Sequence, residues 1–177
     1  MARKKMSKKQ SRKPPKKPKR PAAAKPARRA TSRPAAARRT HDGSCHCGAI
    51  EFSYETALAP GRWSLRRCQC SFCRSHGATV TSDAGGLVRF SYVHPDRLRR
   101  YRHALRTADF LVCRECGVYV AAVLLTGAGA VAAVNVNTLR ELPRGLARAR
   151  TVNYTGESAE ERRGRRAAGW TPVFGPV

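Results

Sequence analysis

The chain has 177 residues and carries 36 Lys and Arg against 11 Asp and Glu, a formal net charge of +25 at pH 7. This length fits one domain of ordinary size plus appendages. The longest apolar run, residues 118–125, is too short to cross a bilayer, so we expect no membrane-spanning segment.

Residues 1–40 form a basic tail with 17 Lys and Arg, no Asp or Glu, and no Leu, Ile, Val, Phe, Tyr or Trp. Such a segment buries too little apolar surface to offset its chain entropy, so we expect it to be disordered. Acid-free basic tails neutralise phosphates whatever the base sequence, which makes nucleic acid a candidate partner. The remaining 137 residues carry a net charge of only +8, which predicts a separate folded domain over residues 41–177.

The tail has no apolar central stretch of the kind found in secretory signals, and its six prolines oppose the amphipathic helix of a transit peptide. The cysteine count of seven is odd, which argues against a closed disulfide framework and fits a reducing compartment. We therefore expect a cytoplasmic protein, associated with the nucleoid or, in a eukaryote, located in the nucleus. The sequence carries no indication of its oligomeric state.

Strands are predicted along most of the folded part. Apolar and polar residues alternate, or short apolar runs meet turn residues, in six segments: 48–54, 63–65, 87–93, 110–112, 118–125 and 131–136. The fifth of these is more continuously apolar, which indicates a strand buried on both faces, and Gly127 and Gly129 mark a turn after it. The domain is therefore expected to be mainly β.

The end of the domain is expected to be a C-terminal extension from about residue 140. Within it only residues 158–168 have a helical pattern, and Glu161 stands four residues before Arg165, the spacing of an exposed ion pair. Pro172 and Gly175 predict an irregular end. Just before the extension, Asn135 and Asn137 alternate with valines, which predicts that both lie on the exposed face of a strand.

All seven cysteines fall in three short clusters: Cys45/Cys47, Cys68/Cys70/Cys73 and Cys113/Cys116. Bunching at spacings of two and three is typical of thiolate ligands for a metal. The glycine directly after the third cluster can take the positive φ that a metal-binding turn often needs. In a flat strand the first pair would have Cα atoms about 6.6 Å apart, whereas two sulfurs on one zinc lie about 3.8 Å apart. The first pair is therefore predicted to lie on a bend.

Seven ligands divide naturally into four and three. Four thiolates close a tetrahedral structural zinc site, whereas three protein ligands leave a position for water or substrate. Spacing alone does not assign the clusters to metals: the first and third could form the closed site and leave the middle one open, and His76 could close the open one. Iron–sulfur ligation is a rival, although the spacings match neither ferredoxin pattern.

Three motifs follow one another in the chain: Gly43-Ser-Cys-His-Cys-Gly-Ala-Ile-Glu-Phe52, Cys68-Gln-Cys-Ser-Phe-Cys-Arg74 and Cys113-Arg-Glu-Cys-Gly117. Together they resemble the glutathione-dependent formaldehyde-activating enzyme (GFA) family, which includes the carboxy-terminal domain of centromere protein V, over roughly residues 41–140. The resemblance implies coiled antiparallel β-sheets and two zinc ions per chain. It implies a structural zinc on Cys45, Cys47, Cys113 and Cys116, and a catalytic zinc on Cys68, Cys70 and Cys73.

The activity implied by this resemblance is that of a carbon–sulfur lyase. Such an enzyme joins formaldehyde to the thiol of glutathione, or of another low-molecular-weight thiol, as S-hydroxymethylglutathione, and catalyses the reverse. Arg67 and Arg74 flank the middle cluster and are candidates for holding the glutathione carboxylates. The alternative is a DNA-associated protein like centromere protein V, in which the zinc domain is a scaffold and the tail binds nucleic acid.

Overall fold

The computed structural model describes residues 37–177. Residues 1–36 of the basic tail lie outside the described residues, and so do the predictions of disorder and nucleic-acid binding made for them. Arg39 and Thr40 belong to the first strand, so the predicted disorder is wrong for these two residues. The described strands are β1 (Arg39–Ser44), β2 (Ile50–Thr56), β3 (Arg66–Cys68), β4 (Val80–Thr81), β5 (Leu87–Tyr92), β6 (Leu98–Tyr101), β7 (Asp109–Cys113), β8 (Tyr119–Thr126), β9 (Gly129–Asn135), β10 (Arg150–Val152) and β11 (Thr171–Val173).

Helices are few in the described part of the chain. The α-helices are α1 (Ser71–Ser75) and α2 (Ala159–Gly169), and the 3₁₀ turns are Pro60–Arg62, Pro95–Arg97 and Val136–Thr138. No helix within residues 37–177 is long and apolar enough to span a membrane. The predicted mainly β fold is confirmed.

The eleven strands belong to one mixed sheet. Its main path runs β1-β2-β5-β11-β9-β4-β3-β10, and β9 also pairs with β8, from which the sheet continues through β7 to β6. The meander β6 to β9 is antiparallel throughout. Two pairings are parallel, β10 with β3 and β11 with β5. The sheet is mixed, rather than antiparallel only, because the C-terminal segment returns to add these two strands.

Two strands show how the sequence pattern becomes burial. In β2 every second residue from Ile50 to Thr56 is buried and the residues between them are half-buried, as the alternation predicts. In β8 the six residues from Tyr119 to Leu124 are all buried. Both faces of β8 are covered, which explains why its sequence is continuously apolar.

The buried residues form two apolar clusters on the two faces of β8. The main core includes Ile50, Tyr54, Val88, Leu111, Val120, Val123 and Val134, together with Cys45 and Cys113. The second core comprises Ala78, Ala108, Phe110, Tyr119, Ala122, Leu124, Ala133 and Trp170, with Phe72 packed against it. The second core therefore joins α1, β7, β8 and the end of α2.

The predicted strand at residues 63–65 is wrong. Strand β3 begins only at Arg66, after the 3₁₀ turn at Pro60–Arg62. Trp63 is buried and its indole Nε1 donates to the carbonyl of Leu58 at 3.2 Å. Leu65 is also buried, so the apolar residues of this segment pack into the core although they lie outside the strands. Helix α1 was not predicted, because five residues are too short to show helical periodicity.

Helix α2 confirms the predicted helix, but its charged pair is different. Ser158 caps the helix: its backbone N–H donates to Glu161 Oε2 at 2.8 Å, and the N–H of Glu161 donates to Ser158 Oγ at 3.2 Å. The predicted Glu161–Arg165 pair is therefore wrong, because the capping box occupies the Glu161 carboxylate. Arg165 instead donates twice to Glu157, at 2.6 and 2.8 Å.

Two further predictions near the end of the domain are wrong. The C-terminal residues are not irregular throughout, because β11 inserts between β5 and β9 at Thr171–Val173. Asn135 is 4% exposed and its Nδ2 donates to the Tyr119 carbonyl at 2.9 Å. Strand β9 ends at Asn135 and a 3₁₀ turn follows, so the alternation with valines does not continue to Asn137, which is exposed.

Candidate active site

The first and third cysteine clusters meet in space. Cys45 and Cys47 lie in the turn between β1 and β2, and Cys113 and Cys116 lie at the turn between β7 and β8. The four sulfurs all lie within 4.8 Å of one another. Two of the distances are 3.7 Å (Cys45 to Cys47) and 3.5 Å (Cys47 to Cys113), close to the spacing of about 3.8 Å that a tetrahedral zinc site requires.

Both turns end at a glycine with a positive φ. Gly48 has φ +78° and its N–H donates to the Cys45 carbonyl at 3.0 Å, while Gly117 has φ +71° and its N–H donates to the Cys113 carbonyl at 3.0 Å. A residue with a Cβ would be strained in this left-handed conformation. The predicted bend at the first pair and the predicted role of Gly117 are confirmed.

This four-cysteine cluster lies against the main core. Cys45 and Cys113 are each 1% exposed. Burial raises the pKa of Cys45 to about 12, and burial also raises the pKa of Cys113, because a thiolate in this environment lacks water. A cation would favour the thiolate forms of these two buried thiols, and four sulfurs at this spacing fit zinc.

The middle cluster is assembled by one short piece of chain. Cys68 ends β3, Cys70 is the N-cap of α1, and Cys73 lies in the first turn of that helix. Their sulfurs also lie within 4.8 Å of one another. The N–H of Cys73 donates to the Cys70 sulfur at 3.5 Å, so the start of α1 itself fixes the spacing of two of the three sulfurs.

No fourth ligand joins this cluster from the described residues. The group contains three cysteines and no His, Asp or Glu. His76 is the C-cap of α1 and packs its ring 4.5 Å from that of Phe72, so it does not close the site. A hydrogen bond with Cys73 lowers the pKa of Cys68 to about 5, and the same contact raises the pKa of Cys73. This set of three fits a metal site with one free position.

A cavity of about 410 Å³ opens beside the three-cysteine cluster. Its apolar wall comes from the second core, and its polar wall comes largely from α2 and the segment before it. The apolar residues include Phe110, Tyr119, Ala122, Ala133 and Trp170, and the polar residues include Arg66, His103, Glu157, Arg162, Arg165 and Arg166. This volume is within the range of about 300–1,000 Å³ for small-molecule sites.

His103 is a cavity residue that the sequence patterns did not single out. Its ring stacks 5.2 Å from Phe72 and lies 4.6 Å from Phe110, and its buried Nε2 has no hydrogen-bond partner in the described residues. Burial lowers its pKa, and the neighbouring positive charges, Arg166 first, add to this effect. The imidazole is therefore neutral at pH 7 and able to accept a proton.

The arginines of α2 were also missed as site residues. Arg162, Arg165 and Arg166 follow the spacing i, i+3, i+4, which places them on one face of the helix. That spacing is visible in the sequence, but the sequence does not predict that this helix face lines the same cavity as the three cysteines. The predicted substrate contacts Arg67 and Arg74 are exposed and line a second cavity of about 340 Å³, which also reaches Cys68 and Cys73. Their role in binding glutathione stays a prediction.

The part of the chain that carries the three cysteine motifs matches a known protein family. The family model for the glutathione-dependent formaldehyde-activating enzyme matches residues 40–156. The chain belongs to the GFA family. A crystal structure of a Rhodobacter sphaeroides protein, a structural genomics target, is 32% identical, with a TM-score of 0.49 over 63% of this chain and 99% of that protein. A search of curated proteins finds no match.

The GFA match covers all seven cysteines, both the group of four and the group of three that they form in space. It ends at residue 156, two residues before the N-cap of α2. The three-cysteine wall of the cavity thus belongs to the part shared with the GFA family, whereas the α2 arginines lie beyond it.

Proposed function

We propose that this chain is a zinc-dependent carbon–sulfur lyase acting on the adduct of a low-molecular-weight thiol and an aldehyde, such as S-hydroxymethylglutathione. The observation that carries the proposal is the convergence of Cys68, Cys70 and Cys73 at the wall of a cavity of about 410 Å³. Three sulfurs leave one position of a tetrahedral site for a substrate atom. Membership in the GFA family supports a thiol and an aldehyde as the reactants.

The proposal assigns different roles to the two cysteine sets. Cys45, Cys47, Cys113 and Cys116 would hold a structural zinc, because four sulfurs close the coordination sphere. Cys68, Cys70 and Cys73 would hold the catalytic zinc, with a formal charge of −1 for three thiolates and the ion. When bound there, zinc would supply a Lewis acid that favours the thiolate form of a substrate thiol.

The surrounding residues suit the proposed reaction. Cleavage of the adduct breaks its carbon–sulfur bond, forms the aldehyde carbonyl as the hydroxyl proton leaves, and returns one proton to the sulfur. We assign that proton transfer to His103, whose unpartnered Nε2 belongs to a residue of the cavity wall. Phe110, Tyr119 and Trp170 provide an apolar wall that limits access of water to the reacting groups.

Exchange NMR on a mixture of formaldehyde and glutathione tests this function directly. The full chain with two zinc ions should accelerate interconversion of free formaldehyde and S-hydroxymethylglutathione, and the Cys73→Ser variant should not. Ser75→Ala, at an exposed position of the same helix, is the matched control and should retain the wild-type rate. Equal exchange rates with wild type, with Cys73→Ser and without protein would overturn the proposal.

We also propose that residues 1–40 bind nucleic acid, on the basis of their 17 basic and no acidic residues. If every charge contacts a phosphate, the slope of log K against log salt approaches about −15 as an upper bound. Fluorescence anisotropy with duplex DNA tests this for the full chain and for a deletion of residues 1–36, which keeps β1 complete. Salt-sensitive affinity should disappear with the deletion, and unchanged affinity would refute the role.

The two proposals are compatible because they use different parts of the chain. We propose a boundary near residue 40, a GFA-like domain over residues 41–177, and a location in the cytoplasm, nucleoid or nucleus according to the host. The deletion of residues 1–36 should leave formaldehyde exchange at its full rate. In the scaffold alternative, the deletion abolishes DNA binding and neither protein catalyses exchange.

A further inference from the structure

The cavity beside the three cysteines has an excess of positive charge. Among residues 37–177, four guanidinium groups line it, from Arg66, Arg162, Arg165 and Arg166, against a single carboxylate, Glu157. Three of the four come from one face of α2, since they follow the spacing i, i+3, i+4. This face begins beyond the last residue matched by the GFA family.

Glu157 balances only part of this charge. Arg165 donates to both of its carboxylate oxygens, at 2.6 and 2.8 Å, and Arg162 Nε lies 3.6 Å from Oε2. Arg66 donates to hydroxyl groups, Ser64 Oγ at 3.1 Å and Ser82 Oγ at 2.8 Å, and forms no ion pair in the described residues. One acid therefore serves two arginines and leaves the others without a counter-charge.

Arg166 is the most unusual of the four. It is 8% exposed, and its Nη1 donates to Thr107 Oγ1 at 2.7 Å. Its Nε is buried without a hydrogen-bond partner. The guanidinium forms no ion pair with a carboxylate in the part of the chain that the structure describes. Burial lowers its pKa to about 10, so the group is still charged at pH 7. A buried guanidinium is unfavourable unless an anion accompanies it.

The cysteine site does not supply enough negative charge. Three thiolates with zinc carry a formal charge of −1, and Glu157 adds one more, against four guanidinium groups. Two positive charges therefore remain without a counter-charge among the cavity residues. An anionic group of a ligand would balance them, and guanidinium groups pair with carboxylates through charge-assisted hydrogen bonds.

We propose that the α2 face of this cavity, centred on Arg166 with Arg162 beside it, binds a carboxylate of the thiol substrate while the sulfur lies at the three-cysteine site. This inference rests on the proposed lyase function for the identity of the ligand as a thiol. It selects carboxylated thiols over neutral ones, and it places the selecting residues on α2. Arg67 and Arg74, in the second cavity, are not required for this selection.

Two matched thiols test the selection. N-acetylcysteine and N-acetylcysteamine differ by one carboxylate, and both form adducts with formaldehyde. In exchange NMR with the full zinc-loaded chain, Arg166→Gln should raise KM for N-acetylcysteine about 10- to 100-fold, the loss expected for one hydrogen bond to a charged group. KM for N-acetylcysteamine should change less than about twofold. Equal losses for both thiols would overturn the proposal, since they indicate a structural role or a counter-charge to the cysteines.

Two other variants separate folding from binding. Arg162→Gln removes a guanidinium from the same face at a less buried position, and it should weaken N-acetylcysteine selectively if Arg166→Gln fails to fold. Arg163→Gln removes an exposed arginine of α2 outside the cavity and should leave both KM values unchanged. A matching loss in Arg163→Gln would show that net charge, and not the α2 face, determines the selection, and would overturn the proposal.

Calorimetry with S-methylglutathione distinguishes failure of this inference from failure of the proposed function. This ligand keeps both carboxylates but has no free thiol, so it binds without turnover. Binding that weakens at least tenfold in Arg166→Gln supports the carboxylate site even if no thiol is turned over. A second outcome overturns the carboxylate site but supports the lyase function. In that outcome the wild-type protein turns over the neutral thiol, shows no preference for N-acetylcysteine and does not bind S-methylglutathione.

Discussion

Replacement of Cys113 by Ser should unfold the domain, whereas replacement of Cys73 by Ser should remove one zinc and leave the fold intact. The reason is the different position of the two cysteine sets. Cys113 is 1% exposed in the main core, and its sulfur lies 3.5 Å from that of Cys47, 66 residues away in the chain. Loss of this site disconnects the β1–β2 turn from the β7–β8 turn.

The magnitudes decide the outcome. Structural zinc in small domains contributes about 10–16 kcal/mol at pH 7, and a natural domain is stable by about 5–15 kcal/mol. If loss of one of the four ligands removes even half of the free energy of zinc binding, that loss is comparable with the whole free energy of unfolding of the domain. The three sulfurs of the open set are held by β3 and α1 alone, so Cys73→Ser should cost about 1–2 kcal/mol, a fall in Tm of about 2–8 °C.

Zinc content and thermal unfolding of the full chain measure both effects. We expect two zinc ions in the wild type, one in Cys73→Ser with a cooperative transition, and no cooperative transition in Cys113→Ser. His46→Ala is the control, since His46 is exposed between two ligands of the same turn and should change neither reading. The reasoning is refuted if Cys73→Ser loses both ions, or if Cys113→Ser keeps two and unfolds like the wild type.

Two further predictions concern single side chains. His103→Phe keeps the ring stacking but removes the proton-transfer group, so exchange should slow about 10²–10⁴-fold with zinc content unchanged; a rate within threefold of wild type contradicts the assignment. Asp109 is 5% exposed and accepts from Arg102 Nη2 at 3.2 Å, a hydrogen bond that lowers its pKa. Its stabilisation is therefore complete above the ordinary pKa of about 3.9 and is lost as pH falls through the lowered folded-state pKa. Asp109→Asn should lower the free energy of unfolding by about 1–3 kcal/mol at pH 7, and by progressively less below about pH 4. Denaturation of both proteins across this pH range measures the effect, and an equal loss at pH 7 and below pH 4 contradicts the prediction.

Much of the local structure follows from the sequence alone. Alternation in β2 and the continuous apolar run of β8 predict their burial, because side chains of a strand alternate between its two faces. The glycines after Cys47 and Cys116 predict the two turns, because only glycine takes a positive φ without strain. All seven cysteines are predicted as candidate metal ligands from the sequence, since a metal site needs ligands at short, fixed spacings.

The tertiary structure decided what depends on distant parts of the chain. The alternation of a strand does not say which strand lies beside it, so β11 beside β5 and β9 came only from the fold. The Glu161 carboxylate accepts from the N-cap backbone N–H, and Arg165 donates to Glu157. The sequence does not decide between such pairs, because several partners of similar interaction strength lie within reach on a helix surface. The cavity wall was decided in the same way. Helical spacing puts Arg162, Arg165 and Arg166 on one face of α2, but only the packing of Trp170 into the second core turns that face toward Cys68, Cys70 and Cys73.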